Sequence, residues 1–328
     1  MKRVLITGAS GFVGANLARR LLRDGHAVWL LLRESHQPWR LEEIVSDCRV
    51  ATGDITDRDA VRRAFVEASP EWVFHLAAFG AYSSQTGFER MNAVNLMGAV
   101  TLLDAAAASG VECFVQSGSS SEYGYKPAAA REHDLLQPNS HYAITKAAAT
   151  HYCQFTACKS GMKAVTLRLY SIYGPWEEPT RLIPGLLIHG LRGELPSLAS
   201  PSTARDFVYA DDAVDAFLRV ASASGIPPGA VYNVASGEQT TLEQLVNEVR
   251  DLFGMTAEAA WGTMPSRAWD TDTWVGDDTA IHAATEWRAE TSLREGLLRT
   301  AQWLQTNPRW LNLYRSRILS QAKSSAPI

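Results

Sequence analysis

Short apolar runs alternate with stretches of helical period through the first half of the chain. The runs Val4–Thr7, Ala27–Leu32, Val50–Thr52, Trp72–Leu76, Phe114–Ser117 and Ala164–Leu169 have the length and apolarity of buried strands. Between them, Phe12–Arg23, Asp57–Ala68, Phe88–Ser109 and Ser140–Ser160 repeat their apolar positions at helix spacing. Such alternation builds βαβ units, so the expected fold class is α/β with a doubly wound parallel sheet. After about Tyr170 the rhythm breaks. Pro175, Pro179, Pro184, Pro196 and Pro201 punctuate loops and short helices, which suggests a smaller C-terminal cap over the sheet's carboxyl edge. Segment 206–234 reads as a return to the sheet, with Val231–Val234 as a last strand, and residues 224–229 and 321–328 as turn or tail.

Two motifs carry chemistry. Gly8-Ala-Ser-Gly11-Phe12-Val13-Gly14 follows the first strand and opens the first helix. Glycines there let the backbone turn tightly and approach a phosphate, and the helix N-terminus adds amide donors and a positive dipole. A glycine triplet alone is weak evidence, but this one starts a βαβ unit, the context of a dinucleotide site. The second motif is Ser140-His-Tyr142-Ala-Ile-Thr-Lys146. Four residues make about one helical turn, so Tyr142 and Lys146 share a face and can reach one substrate atom. A free phenol titrates near ~10, so an adjacent ammonium is expected to favour the phenolate. Together the motifs describe transfer of a hydride and a proton at one carbinol. The division that follows is a Rossmann-type dinucleotide-binding domain over 1–170, with the return at 206–234, and a mainly substrate-binding domain over 171–328.

Further pieces fall in order along the chain: Gly53-Asp54-Ile55, His75-Leu76-Ala77-Ala78, Asn95 three residues before Gly98, Ser119, Tyr173-Gly-Pro175 and Arg205-Asp-Phe-Val-Tyr-Ala-Asp-Asp212. With the glycine turn and the Tyr/Lys pair, this order resembles the short-chain dehydrogenase/reductase superfamily, specifically its extended branch acting on nucleotide sugars. The resemblance covers nearly the whole chain. It implies that Gly8, Gly11, Phe12, Val13, Gly14, Asp54, Ile55, Leu76, Ala77, Ala78 and Asn95 face the cofactor, Asp54 and Ile55 at the adenine. It implies a catalytic set of Ser119, Tyr142 and Lys146, the lysine also holding the nicotinamide ribose. Arg205 and Arg267, the latter opening Arg-Ala-Trp-Asp270, resemble phosphate-contacting arginines, and Arg181 resembles the segment along the nucleotide base. Asp270 belongs to the same substrate-binding set.

Several choices rest on single positions. Leu32 stands where NAD-using members commonly place an aspartate, and Arg33 follows it. A guanidinium suits a 2′-phosphate, so NADP is expected, with NAD still possible; Arg33 read as a solvated surface residue, or paired with Glu34, is the alternative. Counting four residues back from Tyr123-Gly124 gives Ser119 as the catalytic serine, while Ser120 and Ser121 remain alternatives if the loop shifts by one. Sugar 4,6-dehydratases place a glutamate two residues before that tyrosine, beside an aspartate. Here Ser120 and Ser121 hold those places, and Glu122, one residue late, is expected to point elsewhere, so loss of water is disfavoured. Trp176, Trp269 and Trp274 are candidates to wall a sugar pocket, His141 is expected to be structural, and Asp211 and Asp212 to cap a helix starting near Ala213.

Composition excludes other classes. The 328 residues carry 46% hydrophobic content and a formal charge of −4, which gives no general affinity for nucleic acid or anionic membranes. No apolar stretch is expected to span a bilayer, no secretory signal is seen, and a cytoplasmic setting is expected. Cys48, Cys113, Cys153 and Cys158 form no CxxC pair, so no metal is expected. The reading is an NADP(H)-dependent reductase of a nucleoside-diphosphate 4-keto-6-deoxy sugar. The alternatives are an NAD-dependent nucleotide-sugar 4-epimerase and a non-catalytic NADP-binding sensor or scaffold. Small residues Ala105–Ala108 and Ala147–Ala149 suit close helix packing, and the resemblance implies a homodimer built on those helices.

Overall fold

The computed structural model describes residues 1–82, 84–264 and 271–324. Its strands are β1 (Arg3–Thr7), β2 (Ala27–Leu32), β3 (Arg49–Thr52), β4 (Trp72–His75), β5 (Cys113–Ser119), β6 (Lys163–Leu169), β7 (Ser171–Tyr173), β8 (Ala204–Arg205), β9 (Phe207–Tyr209), β10 (Val231–Val234) and β11 (Thr240–Thr241). Its α-helices are α1 (Phe12–Arg23), α2 (Arg58–Ala68), α3 (Phe88–Met91), α4 (Gly98–Ser109), α5 (His141–Ser160), α6 (Leu182–Gly190), α7 (Ala210–Ser222), α8 (Leu242–Phe253), α9 (Thr279–Thr285), α10 (Leu293–Thr306) and α11 (Pro308–Ser324). Seven parallel strands form the central sheet in the order β10-β6-β5-β4-β1-β2-β3. This is a Rossmann-like, doubly wound sheet.

The strands are buried on both sides, as parallel sheets require: Leu5, Ile6, Val73, Phe74, Phe114 and Val115 have no exposed surface. One face is covered by α1 and α7, whose Leu17, Leu21, Phe217 and Val220 pack on Ile6 and Val115. The other is covered by α2, α4 and α5, with Phe65, Leu102, Leu103 and Cys153 packed on Leu5 and Phe114. Burying each Leu or Phe side chain contributes roughly 1.5–3 kcal/mol. The cap has its own core, where α6, α8, α10 and α11 gather Leu186, Leu245, Leu304 and Tyr314 around Trp39 and Trp176.

Phe88–Ser109 is not uniform. Between α3 and α4 the turns widen into a π-helical segment, Asn92–Met97. Taken as one 22-residue helix it is long and apolar enough to cross a bilayer, with mean hydropathy 1.3, against the expectation from sequence. In this fold its apolar side lies on α2 and α5, as a core helix does. Asp211 and Asp212 also differ from expectation. They lie inside the first turn of α7, Tyr209 takes the cap position, and Asp212 accepts from the Thr291 amide at 3.0 Å. Tertiary pairing with the following segment outweighs local capping there.

Candidate active site

The sheet order reverses between β1 and β4, so their carboxyl ends open a crevice. Gly8 turns out of β1 with φ +76°, and a Cβ there would lie 2.4 Å from both the Ala77 amide nitrogen and the Leu76 carbonyl carbon. Gly14 sits in the first turn of α1, where a Cβ would meet the Gly8 carbonyl oxygen at 2.3 Å. The Gly11 amide closes the turn by donating to Gly8 O at 2.9 Å. Gly11 caps α1 without a side chain, and no acidic residue occupies the first turn, so the helix end presents bare amides to an anion. A dinucleotide pyrophosphate fits that cradle.

The expected adenosine end lies beside it. Leu32 is buried at the end of β2, Arg33 is exposed, and Gly53 N–H pairs with Leu32 O at 2.9 Å, which brings Asp54 next to them. Asp54 is locally engaged: it accepts from the Thr56 amide and hydroxyl at 2.9 and 2.8 Å and faces Arg90 at 3.4 Å. Ile55 is buried beneath Gly98, packing against the helix. Asn95, 1% exposed, accepts from Phe79 N–H at 2.8 Å and donates to Phe79 O and to Thr145 Oγ1 at 2.8 and 3.0 Å. The widened turn thus ties the loop after β4 to α5.

Ser119 ends β5, and Tyr142 and Lys146 stand one turn apart on α5, whose cap Ser140 accepts from Ala143 N–H at 3.2 Å. Tyr142 is half-buried. Burial pushes its phenol up to about 12, while the nearby Ser119 hydroxyl works the other way. Lys146 is 4% exposed; its Nζ donates to the Ser117 carbonyl, and burial lowers it to about 8 despite the Glu122 charge. The phenol is therefore not held acidic by the lysine, as the spacing had suggested. The ammonium crosses to β5, and desolvation governs the ring. His75, buried behind Lys146, shares a 2.7 Å hydrogen bond with Thr7 Oγ1 and is held down to about 3 by burial, hence neutral.

Glu122 does point away from the cleft, as expected. It is fully buried and accepts from Ser119 N–H, Thr150 Oγ1 and Arg168 Nε at 2.8, 2.9 and 2.9 Å. Ser121 donates its amide to Ser119 Oγ at 3.2 Å.

Arg181 stacks 5.8 Å from the Tyr82 ring and lies 3.8 Å from Glu177, and its charge also bears on Tyr142. Tyr82 was not singled out by sequence. Its signal lies only in its neighbours, since it comes from an irregular loop. Arg40 was missed too: it donates to Trp176 O at 2.7 Å, Glu178 at 3.0 Å and Ser10 O at 3.4 Å, sewing residues 176–178 to the glycine turn. Trp176 is buried against Trp303 and Trp310, so it belongs to the cap core and not to a pocket wall. Trp274 lines a small hollow with Ser120, Tyr123 and Tyr170, and Arg205 sits 5.4 Å from its ring. His141 is exposed and packs on Phe88. Arg267, Trp269 and Asp270 lie outside the described residues.

Residues 4–235 match the sequence profile of the NAD dependent epimerase/dehydratase family. The chain belongs to that family. It is accordingly an enzyme, dependent on a nicotinamide nucleotide. It is 29% identical over 317 residues to a UDP-glucose 4-epimerase of Mycolicibacterium smegmatis, covering 92% of this chain and 98% of that one. It is 26% identical over 309 residues to a GDP-6-deoxy-D-mannose reductase of Pseudomonas aeruginosa, covering 90% and 95%. It spans about half, 48%, of a trifunctional UDP-glucose 4,6-dehydratase, 3,5-epimerase and reductase of Arabidopsis thaliana at 27% identity over 94% of its own length. The solved UDP-glucose 4-epimerase of Thermotoga maritima with UDP-glucose superposes with a TM-score of 0.83 at 27% identity, covering 93% of this chain and 99% of that one. The family resemblance read from the motifs and these matches agree.

Proposed function

We propose that the enzyme reduces the C4 carbonyl of a nucleoside-diphosphate 4-keto-6-deoxy sugar, using NADPH. The observation that carries this is the meeting of Ser119 at the end of β5 with Tyr142 and Lys146 on one face of α5, where burial raises the phenol's pKa. A bound nicotinamide supplies the hydride. Ser119 Oγ holds the sugar oxygen, and Tyr142 O–H gives its proton to that oxygen as the alcohol forms. A pKa near 12 suits an acid that must stay protonated until the oxyanion appears. Ser120 and Ser121 supply no carboxylate for eliminating water. The arginines at 181 and 205 bring positive charge to the cap side for a diphosphate, in a protein whose net charge is −4.

For the cofactor, exposed Arg33 beside a buried Leu32 supports NADP. The second reading, a nucleotide-sugar 4-epimerase that keeps its cofactor, is favoured by the relatives bearing that name. Purified protein with CDP-, GDP-, UDP- and dTDP-4-keto-6-deoxy sugars decides between them. Consumption of NADPH in step with alcohol product is expected; epimerisation of a sugar nucleotide without added nicotinamide overturns the reductase.

A further inference from the structure

Behind the serine lies a buried charged cluster that the proposed chemistry does not use. Glu122 has no exposed surface, and its carboxylate is the meeting point of three elements. It takes the Ser119 amide at the end of β5, the Thr150 hydroxyl on α5 and the Arg168 guanidinium on β6. Thr150 follows Lys146 by four residues, so it sits one turn further along the same helix face. We propose that Glu122 is the positioning residue that fixes Ser119 against Tyr142 and Lys146. This deepens the reductase reading and rests on it.

The cluster is made to hold one geometry. Gly118 lies so close that a Cβ there would meet Glu122 Oε1 at 2.9 Å and Thr166 Cγ2 at 2.7 Å. Arg168 is 3% exposed, donates also to Glu132 O at 3.1 Å and stacks 4.6 Å from the Tyr123 ring. Tyr123 Oη in turn donates to Asn233 Oδ1 at 2.7 Å on β10. A buried ion pair of this kind adds little to stability beyond an apolar replacement, so its use is arrangement. Its charge also reaches the centre. The titratable and charged groups facing it are Arg168 from β6 and Tyr142 and Lys146 from α5, with Tyr123 and Glu132 beyond Arg168 and neutral His75 beyond Lys146. The carboxylate raises both Tyr142 and Lys146, so it keeps the phenol protonated and the amine charged.

The test is Glu122→Gln, with Glu122→Gln/Arg168→Met as the variant that leaves no buried charge unpaired and Thr150→Val as one that removes a tether and no charge. In both Glu122 variants kcat for reduction should fall roughly 10- to 100-fold with KM for the sugar nucleotide changed less than about threefold. The alkaline limb of the pH–kcat profile should move to lower pH, because both groups lose a proton more easily without the carboxylate. Thr150→Val should lower kcat roughly tenfold without moving the limb. A purely structural role would leave the limb in place. Isotope-labelled lysine NMR, with Lys146 assigned through Lys146→Met, reads the same shift without substrate. If the Lys146 titration moves while no keto sugar is reduced, the functional reading fails alone. A folded Glu122 variant with an unmoved Lys146 titration and limb overturns the proposal, as does unfolding of both Glu122 variants alongside wild-type kcat in Thr150→Val.

Discussion

On the proposed reading Tyr142 carries opposite demands: it must keep its proton until reduction and release it to the sugar oxygen at once. Burial secures the first, and the Ser119 hydroxyl beside it eases the second. Tyr142→Phe should lower kcat by roughly 10²–10⁴-fold while cofactor affinity by calorimetry stays within a few-fold, because only the proton donor is lost. Residual activity near wild type would place the proton elsewhere. Glu177 is a second buried ionisable group. Its Oε2 is buried without a hydrogen-bond partner among the described residues, and burial pushes the acid from 4.5 to about 8. The folded chain therefore binds a proton that the unfolded chain releases across pH 4.5 to 8, so this group's stabilising contribution declines as pH rises through that window. Glu177→Gln, which cannot ionise, should raise Tm by several degrees at pH 8 and above, with the gain gone near pH 4.5. Melting curves that run parallel to wild type across that range would contradict a buried neutral acid. The shared face of Tyr142 and Lys146 was legible because helix spacing alone aligns them, whereas Ser119, on β5, came only from the family resemblance. The direction of the lysine was not legible, since the Ser117 carbonyl that takes it comes from a strand 29 residues away.

At the scale of elements, the glycine turn shows how a backbone can specify a ligand. Space at Gly14 is set by the Gly8 carbonyl, 2.3 Å from where a Cβ would sit, so any side chain must open the turn that a pyrophosphate fits. Gly14→Ala should weaken cofactor binding at least about tenfold and destabilise the fold by about 1–3 kcal/mol, read by calorimetry and denaturant melts. Unchanged affinity in the folded variant would remove the turn from the cofactor site. Strand and helix positions were largely readable, because apolar period survives tertiary packing: Ala27–Leu32, Val231–Val234 and Phe12–Arg23 match the reading from sequence residue for residue. What escaped is what neighbours impose. β5 runs on to Ser119 because Gly118 and Ser119 pair with Arg168 and Leu169 of β6. The π-helical segment escaped as well, since one widened turn barely disturbs an apolar period. Yet it is what brings Asn95 under Phe79. Arg33→Ala should raise KM for NADPH roughly 10- to 100-fold and leave that for NADH nearly unchanged, as expected for loss of a forked 2′-phosphate contact; an equal loss for both would mean the guanidinium does not read the phosphate.

For the whole molecule, the link that sequence could least show joins its two ends. Trp310 Nε1 donates to Glu43 at 3.1 Å, Arg309 pairs with Glu42, and Tyr314 Oη donates to Glu177 O at 2.6 Å, so α11 closes over the loop after β2 and the loop bearing Arg181. The α4 and α5 side of the molecule is different: it ends in uncovered apolar surface. Ile144 and Phe155 are 45% and 58% exposed, eleven residues apart and so on one stripe of α5, with Met97 42% exposed just before α4. Ala147 and Ala149, read from sequence as a packing surface, are buried toward the core, so the outward stripe is built from the larger side chains instead. We propose that a second copy covers this stripe, pairing α4 and α5 across a two-fold axis and burying on the order of 800 Å² per chain. We therefore expect light scattering to give twice the 35.9 kDa chain mass at micromolar concentration. Phe155→Arg should place two like charges close to the axis and shift the mass to that of one chain, with little loss of secondary structure by circular dichroism. A wild-type protein that stays monomeric, or a Phe155→Arg variant that stays dimeric, would mean that this stripe is not where two copies meet.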